Sequence, residues 1–175
     1  MKVRIKRLSE KAVMPKKAHP SDAGFDLVAT RRWCDGNGNA CYGTDLAFEI
    51  PEGYAGFLFP RSSNAKKDLV LTNSVGVIDC HYRGEVTMKF KNVNSLNDDS
   101  EDFDVDELRV QYGWFFSTDE NGRRYADWER MCEAYKVGDR IGQLIIMPIP
   151  DIEFEEADEL SETDRGEGGY GSTGR

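Results

Sequence analysis

Short runs in which apolar and polar residues alternate dominate the sequence, and they limit the fold more than any other feature. A period of two is that of a β-strand with one buried face, and glycine, proline, asparagine and aspartate separate the runs, as turn residues do. The alternating apolar sets are Val3/Ile5, Leu46/Phe48/Ile50, Val86/Met88/Phe90 and Ile152/Phe154. The sequence therefore predicts a mostly β domain.

One segment departs from this pattern. Large apolar residues recur there at a spacing of three or four: Tyr125, Trp128, Met131 or Cys132, and Tyr135. This spacing predicts an amphipathic helix over residues 124–136.

An acidic segment precedes the predicted helix. Seven of the eleven residues at 97–107 are Asp or Glu, and their mutual repulsion favours exposure to solvent. One interpretation is a solvated loop, and the other is a surface that binds a partner or attracts cations.

Size and charge exclude several classes of protein. The 175 residues suit one domain, and 9 Phe, 7 Tyr and 3 Trp supply enough apolar area for one core. A net charge of -9 argues against binding nucleic acid through a basic face. The sequence has neither a run of about 18 apolar residues that would span a bilayer nor an apolar signal core near Met1. We therefore expect no membrane partner and an intracellular, cytoplasmic location.

The four cysteines contain no CxxC pair, so free thiols are the first interpretation. Cys34 and Cys41 flank the turn-like residues 35–39. An oxidised pair or a weak metal site across a hairpin is therefore the alternative.

Three segments carry groups suited to phosphate chemistry. The tail at 165–175 combines glycines, which expose backbone N–H groups, with Arg, Ser and Thr donors and one aromatic residue, Tyr170. The segment 59–65 offers Arg61 beside two serine hydroxyls. Asp79 lies in a turn between apolar runs, where a carboxylate can act as a general base toward water. The alternatives are a disordered tail, a surface turn and an aspartate that only caps its turn.

Five short motifs, in order, resemble those of the trimeric deoxyuridine triphosphate nucleotidohydrolases, the dUTPases. They are DAGFDL at 22–27, PRSS at 60–63, GVIDCHYRGEV at 76–86, GDRIGQL at 138–144 and RGEGGYGSTG at 165–174. The resemblance covers nearly the whole chain except residues 95–135.

The resemblance implies an all-β, jelly-roll-like β-barrel of the dUTPase type, with one short helix in an insertion at about 95–135 between the third and fourth motifs. Residues 1–160 would form this domain, and residues 161–175 a flexible Gly-rich arm that closes a neighbouring active site. The family forms homotrimers whose sites are shared between subunits. Its reaction converts dUTP to dUMP and pyrophosphate with Mg²⁺, which limits uracil incorporation into DNA and supplies dUMP for thymidylate synthesis.

The resemblance also implies roles for single residues. Asp79 would orient and deprotonate the water that attacks the α-phosphorus, and Asp26 would hold Mg²⁺ through a water molecule. Tyr82 would lie under the deoxyribose and exclude a 2′-hydroxyl, and Tyr170 would stack on uracil. The positions that match the base pocket are Asn73, Gly76, Val77, Ile78 and Thr87. The positions that match phosphate contacts are Arg61, Ser62, Ser63 and Gln143, together with Arg165, Ser172 and Thr173 at the γ-phosphate.

Some residues depart from the family pattern. Cys80 and His81 stand where small residues are frequent, and we interpret Cys80 as a packing residue and His81 as an outward-facing side chain. An acid/base role for His81 is the alternative. In the insertion, Trp114, Phe115 and Trp128 predict a small satellite core, or else an interface with neighbouring subunits or with another protein.

Two other functions remain open. A dCTP deaminase on the same fold would share the arginine–serine motif but would need a glutamate as its base. A regulatory protein would use the dUTPase scaffold as a nucleotide-dependent switch, with the insertion as its partner surface.

Overall fold

Antiparallel strands form nearly all of the regular structure. The computed structural model describes residues 1–35, 39–67, 69–92, 116–118, 124–126 and 135–169. The strands are β1 (Arg4–Arg7), β2 (Phe25–Val28), β3 (Arg31–Cys34), β4 (Ala40–Gly43), β5 (Leu46–Glu49), β6 (Tyr54–Phe59), β7 (Leu69–Leu71), β8 (Gly76–Ile78), β9 (Thr87–Asn92), β10 (Phe116–Thr118), β11 (Arg124–Ala126) and β12 (Arg140–Pro148). Within the described ranges the only helix is a 3₁₀ helix at Ser62–Lys66. The predicted all-β class is confirmed.

Two four-stranded sheets carry most of the strands, in the orders β2-β12-β6-β8 and β3-β4-β9-β7. Two further pairs are β1 with β5 and β10 with β11. The long strand β12 pairs with β2 on one side and with β6 on the other. The fourth motif therefore lies between the first motif and the strand that leads into the second.

The core takes its largest side chains from both four-stranded sheets. Tyr42 and Phe90 are fully buried and meet edge to face, with ring centroids 5.9 Å apart. The two predicted triplets, Leu46/Phe48/Ile50 and Val86/Met88/Phe90, are buried throughout. Each such side chain stabilises the fold by about 1.5 to 3 kcal/mol relative to an exposed position.

The strand predicted at Ile152 and Phe154 is wrong. Residues 149–157 have no regular structure, and Phe154 is 93% exposed. A strand needs a neighbouring edge for its backbone N–H and C=O groups, and no described strand of this chain pairs with this segment.

The helix predicted over 124–136 is wrong at its start. Arg124–Ala126 is strand β11, paired with β10, because cross-strand pairing offers its backbone the hydrogen bonds that a helix would supply. Tyr135 lies outside any regular element and is buried between Tyr42 and Phe90. Three other predictions lie outside the described residues: the rest of the predicted helix, the satellite core of Trp114, Phe115 and Trp128, and the acidic segment 97–107.

The predicted hairpin around residues 35–39 is confirmed as β3 and β4. Cys34 is opposite Ala40, and Cys41 is opposite Trp33. The two cysteines are therefore offset by one position and point to opposite faces of the hairpin, which does not suit a bond between them. Among the described residues, no helix combines the length and the apolar character needed to cross a membrane.

Candidate active site

Seven of the predicted site residues line one cleft of about 200 Å³. They are Asn73, Gly76, Val77, Ile78, Asp79, Tyr82 and Thr87, and we call this the base cleft. Strand β8 forms one wall and is the last strand of its sheet, and among the described strands it is hydrogen-bonded only to β6. An edge strand presents unpaired N–H and C=O groups, which are suited to the polar edge of a planar ring.

A tight turn at 79–84 carries Asp79 and Tyr82 into this cleft. The Tyr82 amide donates to the Asp79 carbonyl at 3.1 Å, and the Tyr82 hydroxyl donates to the Glu85 carbonyl at 3.0 Å. Gly84 leaves room for the ring, since a Cβ there would lie 2.4 Å from the Tyr82 hydroxyl oxygen. One face of Tyr82 remains open, and the side chain is 47% exposed.

Polar contacts at the base of this turn fix it to the sheet. The Glu85 carboxylate accepts from the Asp45 amide at 2.9 Å and forms an ion pair with Arg31. The Asp45 carboxylate contacts Arg31 as well, with Oδ1 3.5 Å from Nε. A hydrogen bond from the Ser9 hydroxyl, reinforced by Thr30 and Arg31, lowers the pKa of Asp45, although burial opposes this shift.

A second group of predicted residues surrounds the arginine–serine loop, residues 60–67. The Arg61 Nε lies 2.9 Å from Asp26 Oδ1, and Arg140 donates to the other Asp26 oxygen at 3.0 Å. The Gln143 side chain donates to the Pro60 carbonyl at 3.3 Å. Gly24 accommodates Gln143, because a Cβ at Gly24 would lie 2.4 Å from its Oε1. The first, second and fourth motifs therefore meet at one place.

The base cleft and the arginine–serine loop are separate within one chain. Along β6, Ile78 is opposite Gly56, whereas Gln143 is opposite Phe59. Gly56 and Phe59 are three residues apart along β6, a distance of roughly 10 Å at the rise of a strand. The strand directions then carry Asp79 and Arg61 away from each other.

Arg165, the one predicted tail residue that the structure describes, does not join either group. Residues 151–167 are exposed, and Arg165 donates from Nε to the Gly168 carbonyl at 2.8 Å, a contact within the tail. Tyr170, Ser172 and Thr173 lie outside the described residues.

Cys80 and His81 face away from the base cleft. Together with Lys2, Arg4 and Arg83 they line a different groove, of about 330 Å³. The interpretation of His81 as an outward-facing residue agrees with this position.

The sequence interpretation missed two residues here: Asn64, inside the arginine–serine loop, and Tyr135, which contacts it. The Tyr135 hydroxyl donates to Asn64 Oδ1 at 3.3 Å. Burial raises the pKa of Tyr135, while the Ser63 hydroxyl and the charge of Arg61 oppose the shift. The only available signal was the position of Tyr135, three residues before the start of the fourth motif.

Neither group contains a complete protein-made metal centre. No three His, Cys, Asp or Glu side chains of the described ranges cluster closely enough to hold an ion. Asp26 supplies one carboxylate beside the cationic loop, which suits an ion whose other ligands are water and phosphate oxygens.

The cleft suits a planar ring and holds an exposed carboxylate, and the arginine–serine loop carries positive charge. This combination is typical of an enzyme that acts on a nucleotide, here on an all-β fold. Comparison with known proteins identifies the family. A model of the dUTPase family matches residues 10–99 and 133–174. The deoxyuridine 5'-triphosphate nucleotidohydrolase of Arabidopsis thaliana is 37% identical over 172 residues, which cover 98% of this chain and 82% of that protein.

Solved structures agree. The dUTPase of Staphylococcus bacteriophage 80alpha with dUPNHPP, described among phage dUTPases that control transfer of virulence genes, superposes with a TM-score of 0.68 at 31% identity, covering 99% of both chains. A mutant dUTPase from phage phi11 of S. aureus, described with a structural Mg(II) ion, gives 0.61 at 28% identity, covering 91% and 99%. The chain belongs to the dUTPase family. It is an enzyme, a dUTP diphosphatase, and it hydrolyses dUTP.

Proposed function

We propose that Asp79 is the catalytic residue of this dUTPase and that the base cleft receives the uracil and deoxyribose of dUTP. The observation that carries the proposal is the cleft itself, in which six other predicted site residues lie around Asp79. The Asp79 carboxylate orients a water molecule and takes its proton as the water attacks the α-phosphorus. The bond between the α-phosphorus and the bridging oxygen breaks, which releases dUMP and pyrophosphate.

Selectivity for uracil and deoxyribose comes from the two walls of the cleft. The free edge of β8, at Gly76, Val77 and Ile78, offers backbone donors and acceptors to the base, and Asn73 and Thr87 complete the lining. The open face of Tyr82 packs under the sugar and leaves no space for a 2′-hydroxyl. Rejection by steric exclusion of this kind lowers affinity for UTP without any new contact to dUTP.

The phosphates bind at the arginine–serine loop. Arg61 supplies a guanidinium, and Ser62, Ser63 and Gln143 supply neutral donors to the α- and β-phosphates. Donors that meet the charge developing on these oxygens lower the barrier. Residues 161–175 act as an arm, in which Arg165, Ser172 and Thr173 bind the γ-phosphate and Tyr170 stacks on uracil.

Magnesium is the metal cofactor in this proposal. Asp26 would hold the ion through a water molecule, in agreement with the single carboxylate beside Arg61 and Arg140. When bound, Mg²⁺ neutralises phosphate charge and orients the triphosphate.

The enzyme acts as a homotrimer with shared sites. The separation of the base cleft from the arginine–serine loop within one chain supports this, because a complete site then needs the base cleft of one subunit beside the arginine–serine loop of another. The exposed Ile152 and Phe154 also support assembly, as does an apolar groove of about 360 Å³ that includes Val3, Ile5 and Ile146. Residues 1–160 form the domain and residues 161–175 the arm that crosses to a neighbour.

A regulatory role is the second candidate function. The family model leaves out residues 100–132, and the similar phage 80alpha enzyme is described among dUTPases that control gene transfer. In this proposal the insertion binds a protein partner, and nucleotide binding modulates the contact. Deleting residues 97–130 should abolish such an interaction and spare turnover.

Pyrophosphate release from dUTP, dCTP, dTTP and UTP with Mg²⁺, together with chromatography of the nucleotide products, tests the main proposal. We expect release from dUTP alone. Asp79→Asn should retain dUTP binding and lower kcat about a thousandfold or more. Near-normal turnover by Asp79→Asn would remove Asp79 from the base role, and deaminated product from dCTP would indicate the deaminase alternative.

A further inference from the structure

A buried pair of polar side chains joins the arginine–serine loop to the residue that packs behind it. Asn64 is 6% exposed and Tyr135 is 2% exposed, and the Tyr135 hydroxyl donates to Asn64 Oδ1 at 3.3 Å. Neither residue has a part in the chemistry proposed above. Buried polar groups are costly unless they are hydrogen-bonded, so this pair has a local structural purpose.

Asn64 stabilises the loop through hydrogen bonds within it and to the strand that follows. Its Nδ2 donates to the Leu69 carbonyl at 2.6 Å, and its backbone amide donates to the Arg61 carbonyl at 2.9 Å. The Lys67 amide in turn donates to the Asn64 carbonyl at 3.0 Å. One residue thus connects the start of the loop, its 3₁₀ helix and the strand that follows.

Tyr135 fixes this assembly to the core. Its ring lies 5.9 Å from the ring of Tyr42 and 5.7 Å from that of Phe90, centroid to centroid. The Lys67 ammonium lies 4.9 Å from the centroid of the Tyr135 ring. Rigid aromatic contacts of this kind hold the hydroxyl at one place, within hydrogen-bond distance of Asn64.

Tyr135 also begins the segment that leads into the fourth motif. The Lys136 amide donates to Asp139 Oδ2 at 2.8 Å, and the Gly138 amide donates to the Ala29 carbonyl at 2.8 Å. Strand β12 then starts at Arg140, which contacts Asp26. The same short segment therefore contacts the loop through Tyr135 and the acidic partner of Arg61 through Arg140.

We propose that Tyr135 is a positioning residue that acts through Asn64 to hold Arg61, Ser62 and Ser63 in the arrangement that receives the triphosphate. This inference rests on the proposed role of the arginine–serine loop in phosphate binding. A loop held at one geometry loses less conformational freedom when ligand binds, so the pair strengthens phosphate contacts without touching substrate.

Tyr135→Phe tests the inference, because it removes the hydroxyl and keeps the ring. We expect kcat/KM for dUTP to fall about 3- to 10-fold, the effect of one hydrogen bond. The inhibition constant of deoxyuridine, which has no phosphate, should stay unchanged. Asn64→Ala should likewise lower kcat/KM for dUTP and leave the inhibition constant of deoxyuridine unchanged. In the double variant, kcat/KM for dUTP should be little lower than in Asn64→Ala alone, since both substitutions act through one contact.

Two controls make the result decisive. Tyr42→Phe removes a buried hydroxyl from the adjacent ring of the same cluster. It should not lower kcat/KM for dUTP selectively relative to the binding of deoxyuridine. Arg61→Ala tests the loop itself: if it weakens dUTP but not deoxyuridine while Tyr135→Phe behaves as wild type, only the positioning inference fails. If Arg61→Ala leaves dUTP unaffected, the phosphate role fails.

Two outcomes with Tyr135→Phe would overturn the inference. One is an unchanged kcat/KM for dUTP. The other is an equal weakening of kcat/KM for dUTP and of inhibition by deoxyuridine, together with a lower Tm. That result would indicate a general structural role. If Asn64→Ala does not fold, Tyr135→Phe decides the question alone through its two readouts.

Discussion

Arg61 and Asp26 form an ion pair, with 2.9 Å between Nε and Oδ1, and the same carboxylate also contacts Arg140 at 3.0 Å. One anionic group thus lies between two guanidinium groups that come from the second and fourth motifs. Each guanidinium keeps donors that the carboxylate does not use. The arrangement holds positive charge ready for phosphate while limiting repulsion between the two cations.

Asp26→Asn should therefore disturb both cations and the proposed magnesium contact. We expect kcat/KM for dUTP to fall about tenfold or more, and the Mg²⁺ concentration needed for half-maximal rate to rise. Steady-state kinetics over a Mg²⁺ titration measures both effects. Glu49→Gln, which removes a carboxylate from the exposed ion pair with Arg4, is the matched control. An unchanged Mg²⁺ requirement in Asp26→Asn would exclude Asp26 from metal binding.

Gly84→Ala should impair recognition of the sugar. The added Cβ would lie 2.4 Å from the Tyr82 hydroxyl oxygen and 2.6 Å from Cζ, so the ring must move. We expect a higher KM for dUTP and weaker discrimination against UTP, measured as the ratio of kcat/KM values. In a Tyr82→Ala background the same substitution should have no further effect, because the two changes act on one contact. Full discrimination in Gly84→Ala would mean that the position of Tyr82 does not set it.

The sequence predicts the β class well, because the period of two is a local pattern. The members of the base cleft come from the resemblance to the dUTPase family; these residues line one cleft, and their roles stay a prediction. Asp79 and Tyr82 lie three positions apart in one motif. The contacts of Arg31 with Asp45 and Glu85 join residues far apart in the chain, and no local pattern indicates them. Tyr135 fitted a helical stripe, yet the core around Tyr42 determines its position. Ile152 and Phe154 have the period of a strand, but a strand forms only where another edge is available.

Mixed assemblies should show whether sites are shared. One chain would carry Asp79→Asn, and the other would end after Thr163 and so lack the proposed arm. Each is inactive alone in this proposal. If cleft and arm come from different subunits, random mixing at equal amounts restores about a quarter of all sites, or about a third of the sites in assemblies that contain both chains. Pyrophosphate release by co-expressed, doubly tagged assemblies measures the recovery. No recovery would mean that each arm serves the cleft of its own chain.

Acid should weaken the fold through Asp45. The pKa of Asp45 is lowered in the folded protein, chiefly by the hydrogen bond from the Ser9 hydroxyl at 2.6 Å. A carboxyl with a lower pKa in the folded state stabilises the fold above its unfolded pKa, and this contribution disappears as the pH falls through the folded pKa. The free energy of unfolding should therefore decrease on acidification below the ordinary range of aspartate.

Asp45→Asn isolates this contribution. Asp45 has a φ of 52°, in the left-handed region that asparagine also tolerates, so the backbone need not change. We expect the free energy of unfolding to drop by about 1 to 2 kcal/mol at pH 7, the size of a hydrogen bond to a charged group. The difference from wild type should shrink as the pH falls below the ordinary range of aspartate and through the lowered pKa of the folded state, where the carboxyl takes up its proton. Urea unfolding over this pH range measures it, with Asp158→Asn in the exposed tail as the control. A difference that stays constant with pH would mean that the Asp45 charge does not stabilise the fold.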